Sequence, residues 1–280
     1  MNFRRIQEIF LLAFIVIDIF LFMMTKNNNI QNDTNTANSS SSIIKEMKRD
    51  NISIGKLSEK VGIGYYLSAT RDGELENQIN TLKNQTAQLE DDDTLASTFK
   101  NEIKVDDDHP ENKINDLLKK KGFVLNGDSY VYNEALSTKT KVVYDQKAIK
   151  GVFDNDESHL IFNVSHDHYL TGYSQQKLTD VKILHEKADL ISQERAVIWL
   201  YQYNGVPNNS KITRAHLAYS KMLHINGKDV YIPTWIITTK SKTNGKEQVH
   251  RINAFNGSEF KMEHVQVVNQ DQQAKESVEN

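Results

Sequence analysis

The sequence predicts an α+β protein in which a single apolar N-terminal helix precedes a body of antiparallel sheets packed with helices. Three observations predict it. Residues 10–24, "FLLAFIVIDIFLFMM", hold fourteen non-polar side chains around one aspartate, Asp18. Three later segments carry helical periodicity or helix-end signals. The stretches that follow the second and third of them are rich in β-branched and aromatic residues and are punctuated by Asn-Gly pairs.

The apolar stretch comes first. Residues 6–24 make 19 positions, about 28 Å of helix and close to the hydrocarbon thickness of a bilayer. Between Ile9 and Met24 there are twelve Ile, Leu, Phe or Val residues. Each contributes about −0.3 to −0.6 kcal/mol to insertion, against about +3 kcal/mol for a central Asp, so insertion stays favourable. Arg4 and Arg5 precede the span and only Lys26 follows it closely. The positive-inside bias therefore predicts a cytoplasmic head at 1–5, a transmembrane anchor at 6–25 and an extracytoplasmic C-terminal part, a single-pass topology in the cell membrane. A cleaved signal peptide is the alternative, but "FMMTKNNN" offers no small-x-small site. On a helix Asp18 shares a face with Leu11, Phe14, Ile15, Leu21 and Phe22. A carboxylate on that stripe needs a partner from another chain, which makes these six residues the candidate partner-binding face.

Residues 26–42 form a polar linker, "KNNNIQNDTNTANSSSS", whose coil spans roughly 20–25 Å. The body is expected from residue 43, as a first unit over 43–155 and a second over 156–280. In "ELENQINTLKNQTAQLE", Leu75, Ile79, Leu82, Thr86 and Leu89 fall at helical spacing, predicting an amphipathic helix. "PENKINDLLKKKG" predicts a second helix, with Pro110 at its start, Ile114, Leu117 and Leu118 on one face and Gly122 as its stop. "SQERAVIWLYQYNG" predicts a third, capped by Ser192. Asn126-Gly127, Asn226-Gly227 and Asn244-Gly245 mark hairpins. Strands at 211–222, 228–240 and 246–255 then form a meander after the third helix. Those expected at 123–125, 128–136, 139–145 and 159–175 give a looser copy after the second, so the body reads as two similar αβββ units.

Charge and composition narrow the function. With 34 Lys+Arg against 37 Asp+Glu there is no basic footprint for nucleic acid. The absence of cysteine excludes disulfides, thiolate metal sites and a cysteine nucleophile. The one candidate chemical pair is His166 and His168 in "HLIFNVSHDHYL". On a strand they would share a side about 6–7 Å apart, usable for a metal or for an anchored cell-wall hydrolase if a third ligand approached. No third ligand is recognisable. "HEKAD" lacks the second histidine of a zinc-protease helix, and "SIIK" and "SIGK" lack the partner motifs of penicillin-binding enzymes. No catalytic, cofactor-binding or metal residues are assigned.

The opening "MNFRRIQEIFLLAFIVIDIFLF", a polar linker and a cysteine-free α+β remainder together resemble the YycI (WalI) family of Gram-positive bacteria. That resemblance implies a non-enzymatic accessory regulator of the YycFG (WalRK) two-component system. It implies partners in the sensor histidine kinase YycG (WalK) and the related anchored protein YycH, contact through membrane helices, control of cell-wall metabolism and an ectodomain similar to domains of YycH. It implies no cofactor. The third helix and meander also resemble small secreted inhibitory modules of the PepSY kind, through "SQERAVIWL" and the strands after it.

Overall fold

The computed structural model describes residues 11, 13–19, 21, 40–71, 73–90 and 93–260. Residues 11, 13–19 and 21 are helical, as is a segment at 40–49, here α1. Short strands β1 (Gly62–Gly64) and β2 (Leu67–Thr70) follow, then α2 (Glu74–Gln78). Next come β3 (Gln85–Glu90), β4 (Thr94–Lys104), α3 (Pro110–Leu118), β5 (Tyr130–Tyr132), β6 (Lys141–Gln146) and β7 (Val152–Asp154). After these lie β8 (His159–Val164), β9 (Tyr169–Gln175), β10 (Thr179–Ile183) and β11 (Ala188–Leu190). The chain then forms α4 (Gln193–Gln202), β12 (Ser210–Ile225), β13 (Lys228–Ser241) and β14 (Glu247–Asn253). The fold is mixed α+β, mostly sheet with few helices, as expected.

Two six-stranded sheets organise the body. In the first, here the meander sheet, the order is β10-β2-β13-β12-β7, with β14 also on β13; in the second it is β3-β4-β9-β8-β6-β5. β12, β13 and β14 are successive antiparallel neighbours, and β7 joins β12 in parallel. The Asn226-Gly227 hairpin forms as expected: Ile225 opposes Lys228, and both turn residues take the positive φ that a two-residue turn requires, 51° and 72°. Ala215, Trp235, Ile237 and Ile252 of the meander sheet pack with Ala196, Val197 and Leu200 of α4 and Met47 of α1. α4 is capped as predicted, the Ser192 hydroxyl accepting from the Arg195 amide at 3.2 Å. In the second sheet, Tyr144, Leu160, Phe162 and Tyr173 pack with Ile114, Leu117 and Leu118, the face predicted for α3.

Three expectations are corrected. The helix read across 74–90 ends after α2 and a single 3₁₀ turn at Ile79–Thr81; the rest is β3, with alternating burial and six residues paired to β4. Leu82 and Leu89 do reach the same core as Leu75, but from a loop and a strand, because pairing with β4 outweighs a two-heptad stripe. Asn126-Gly127 is not a hairpin turn, and residues 123–125 form no strand: Asn126 is left-handed and Gly127–Ser129 is 3₁₀. A glycine is needed there because a Cβ on residue 127 would lie 2.7 Å from the Leu118 carbonyl oxygen. The strand read over 159–175 is a hairpin, β8 and β9, broken by a turn around Ser165–His168.

Candidate functional site

The N-terminal segment supplies the first candidate surface. Leu11, Phe14, Ile15, Val16, Ile17, Ile19 and Leu21 are all helical and between 49% and 64% exposed, and Asp18 is exposed among them. Apart from Asp18 these described side chains are apolar, and each is about half exposed or more. Burying one such side chain contributes about 1.5–3 kcal/mol, so this surface gains most from an apolar environment supplied from outside the chain. Leu11, Phe14, Ile15, Asp18 and Leu21 of the predicted face lie within this segment; Phe22 and the remainder of the 6–25 span lie outside the described residues. Among the described residues no helix is long and apolar enough to cross a membrane.

The second candidate is a buried polar seam between the two sheets. Asp145 of β6 and His159 of β8 are cross-strand partners, both nearly fully buried. Asn133, just after β5, donates from Nδ2 to Asp145 Oδ2 at 2.7 Å. His159 Nε2 lies 3.3 Å from Asp145 Oδ1, an ion-pair distance without hydrogen-bond geometry, so that oxygen has no hydrogen-bond donor. From the meander sheet, Arg214 Nη1 donates to Asn133 Oδ1 at 3.1 Å. Two residues further along β12, on the same side of the sheet, is His216, whose buried Nδ1 has no partner. Burial, and then the neighbouring Arg214 cation, pull the His216 pKa down to about 4, with Asp154 and Asp145 opposing. Asp154 of β7 is held by Arg251 Nε at 2.7 Å and by the Ser220 hydroxyl at 3.1 Å. The seam is charged, hydrogen-bonded and buried, which suits it to fixing one sheet against the other.

The histidine pair is placed differently from expectation. His166 and His168 sit in the turn between β8 and β9 rather than along a strand, and His168 has a φ of 63°. His168 Nδ1 lies 3.2 Å from Asp107 Oδ1, both partly exposed. Among the described residues no group of three His, Asp or Glu side chains is arranged to hold a metal ion.

Sequence reasoning did not find the seam. Its one local signal is "VVYDQ", a carboxylate inside an otherwise apolar strand. Its partners Asn133 and Arg214 lie 81 residues apart, so no spacing connects them.

Among solved structures, an uncharacterized protein from Eubacterium rectale is 10% identical, with a TM-score of 0.43 over 75% of this chain and 90% of that one. The YpeB C-terminal domain of Bacillus megaterium is 14% identical, with a TM-score of 0.36 over 80% of this chain and 95% of that one. No curated protein matches. The family described as "YycI protein" matches residues 30–255, well over half of the sequence. The chain therefore belongs to the YycI family.

Proposed function

We propose that this chain is a membrane-anchored, non-enzymatic regulator that modulates the sensor histidine kinase YycG (WalK) together with YycH, through helix contacts within the bilayer, and so controls cell-wall metabolism. Family membership supports the broad part of this reading, a regulator of the YycFG system. The observation that carries the finer part is the N-terminal helical segment, whose described side chains are exposed and apolar apart from Asp18. An aspartate in hydrocarbon costs about 3 kcal/mol, and a hydrogen bond from a neighbouring helix offsets about 0.6–2 kcal/mol of that while setting which helix binds and in what register. The segment forms the anchor, the N-terminus is cytoplasmic, the body is extracytoplasmic, and the Leu11, Phe14, Ile15, Asp18, Leu21 and Phe22 face meets the partners.

The test is Asp18→Leu at matched membrane abundance, read by co-purification with the kinase and by response-regulator output. Association and output should both fall while insertion improves. Unchanged association and output would mean that the carboxylate has no part in recognition.

A further inference from the structure

We propose that the groove beside the C-terminal end of α3 binds an extended chain of phosphate groups. Two cavities lie there, of about 620 and 310 Å³, and Lys83, Lys120, Lys121 and Gly122 line both of them. Lys120 and Lys121 come just after α3, whereas Lys83 arrives from the loop before β3. That loop is tied in place: the Lys83 amide donates to the Gly122 carbonyl at 2.9 Å, and Gln85 Nε2 donates to the carbonyls of Gly122 at 3.1 Å and Phe123 at 3.0 Å. Residue 122 has to be glycine for this approach. A Cβ there would meet the Thr81 carbonyl oxygen at 2.9 Å and Lys83 Cγ at 3.0 Å, and its φ is 84°. Three ammonium groups from two distant segments are thereby set around one wall.

The groove offers donors. Lys119 is engaged by Asp116 at 3.0 Å, while Lys83, Lys120 and Lys121, all exposed, make no ion pair among the described residues. Asn126 lines the larger cavity, and its Nδ2 has no acceptor within the protein. Asp128 is the single carboxylate lining either cavity among the described residues. The chain as a whole carries a net charge of −3, so this concentration of positive charge is local. Lysines after a helix also complement its dipole. That accounts neither for Lys83, which belongs to another element, nor for the unpaired Asn126 amide. No arginine lines the groove among the described residues, so the planar fork that pairs bidentately with a carboxylate is missing. Ammonium groups act as point charges and hold phosphate without that geometry. A lone phosphate fills a small part of either cavity, whereas a chain of them follows both across the shared wall.

The test is calorimetric titration of the full chain, held in nonionic detergent micelles, with polyphosphate, poly(glycerol phosphate), orthophosphate and polyglutamate. One variant combines Lys83→Gln, Lys120→Gln and Lys121→Gln. A second makes the same change in net charge at exposed positions elsewhere, combining Lys139→Gln, Lys211→Gln and Lys246→Gln. At least one phosphate chain should bind, about tenfold or more weakly in the first variant, within about twofold of the parent in the second, and less tightly as salt rises. Binding of either chain supports the proposal and tells anhydride-linked from polyol-linked phosphate; binding of neither overturns it. Equal losses in the two variants would reduce the effect to overall charge. Orthophosphate as tight as the chains would reduce it to a single-ion site, and polyglutamate as tight would make the groove a surface for acidic peptides. Each of these three results overturns the proposal. Asn126→Asp adds a carboxylate to the same groove and removes no lysine, so it should weaken binding about threefold or more; unchanged binding would also overturn the proposal. The urea midpoint of the first variant should equal that of the parent, because all three lysines are exposed, so that lost binding reports the groove and not the fold.

Discussion

Asp18 and Asp145 are both aspartates set among apolar neighbours, and the protein treats them in opposite ways. Asp145 is buried between two sheets, bonded by Asn133 and faced by His159. Asp18 lies on an exposed helix, and no described side chain pairs with it. A buried carboxylate pays for its desolvation with partners from its own fold, so Asp145 belongs to assembly of the body. Under the proposed function, a carboxylate on an exposed apolar helix takes its partner from outside the chain, and Asp18 would then serve recognition. The same residue type thus marks an internal joint in one region and an external one in the other.

The largest expected effect falls on the internal joint. Asp145→Ala leaves Asn133 Nδ2 without its buried acceptor, removes the carboxylate that faces the His159 ring, and should destabilise the body by about 3 kcal/mol. Urea unfolding of residues 40–280, followed by the fluorescence of Trp199 and Trp235, measures it. A loss well below 1 kcal/mol would show that the seam does not hold the two sheets together, and the contrast with Asp18 would lapse.

His216 sharpens the contrast through pH. Its folded pKa is near 4 because of burial and Arg214, whereas an unfolded histidine titrates near 6.5. Between those values the unfolded chain binds a proton that the folded chain refuses, so stability falls as pH drops through 6.5 and levels off below about 4. The effect amounts to about 3 kcal/mol and should vanish in His216→Gln. Matching pH–stability curves for the two proteins would remove His216 from the seam's energetics.

What the sequence revealed follows the same division between local and distant. The apolar stretch, α3, the Ser192 cap and the Asn226-Gly227 turn were legible because each is decided within a few residues. The Asn126-Gly127 pair failed because Gly127 answers to the Leu118 carbonyl and not to a hairpin. β3 was missed because its partner strand, not its own spacing, selects extended backbone. β2, β7 and β10 join the meander sheet from far along the chain, which no periodicity announces. The seam is distant in the same sense: only Asp145 hints at it. Of the candidate site, the proposed Asp18 face is a reading of the sequence, made because an aspartate in an apolar run stands out against its neighbours.

A smaller effect tests whether the body's elements stand on local bonds as well as on the seam. Ser192→Ala removes the hydroxyl that accepts from the Arg195 amide and should cost about 1 kcal/mol. The same urea titration measures it. The cost should be independent of pH between 4 and 7, unlike that at His216. A pH-dependent cost would tie α4 to the seam.

The smallest effect on folding is expected at the external joint. In Asp18→Leu the body should unfold at an unchanged urea concentration, measured on the full chain in detergent micelles, because no described part of the body covers residue 18. A surface substitution away from packed neighbours leaves stability nearly untouched. Replacing a carboxylate by an apolar side chain also improves the match of the segment to the micelle interior, so any residual shift should be stabilising. Loss of body stability in Asp18→Leu would mean that the segment docks on its own chain, and the aspartate would then be an internal joint like Asp145. An unchanged midpoint together with weaker co-purification of the kinase would assign the two carboxylates to the two different tasks.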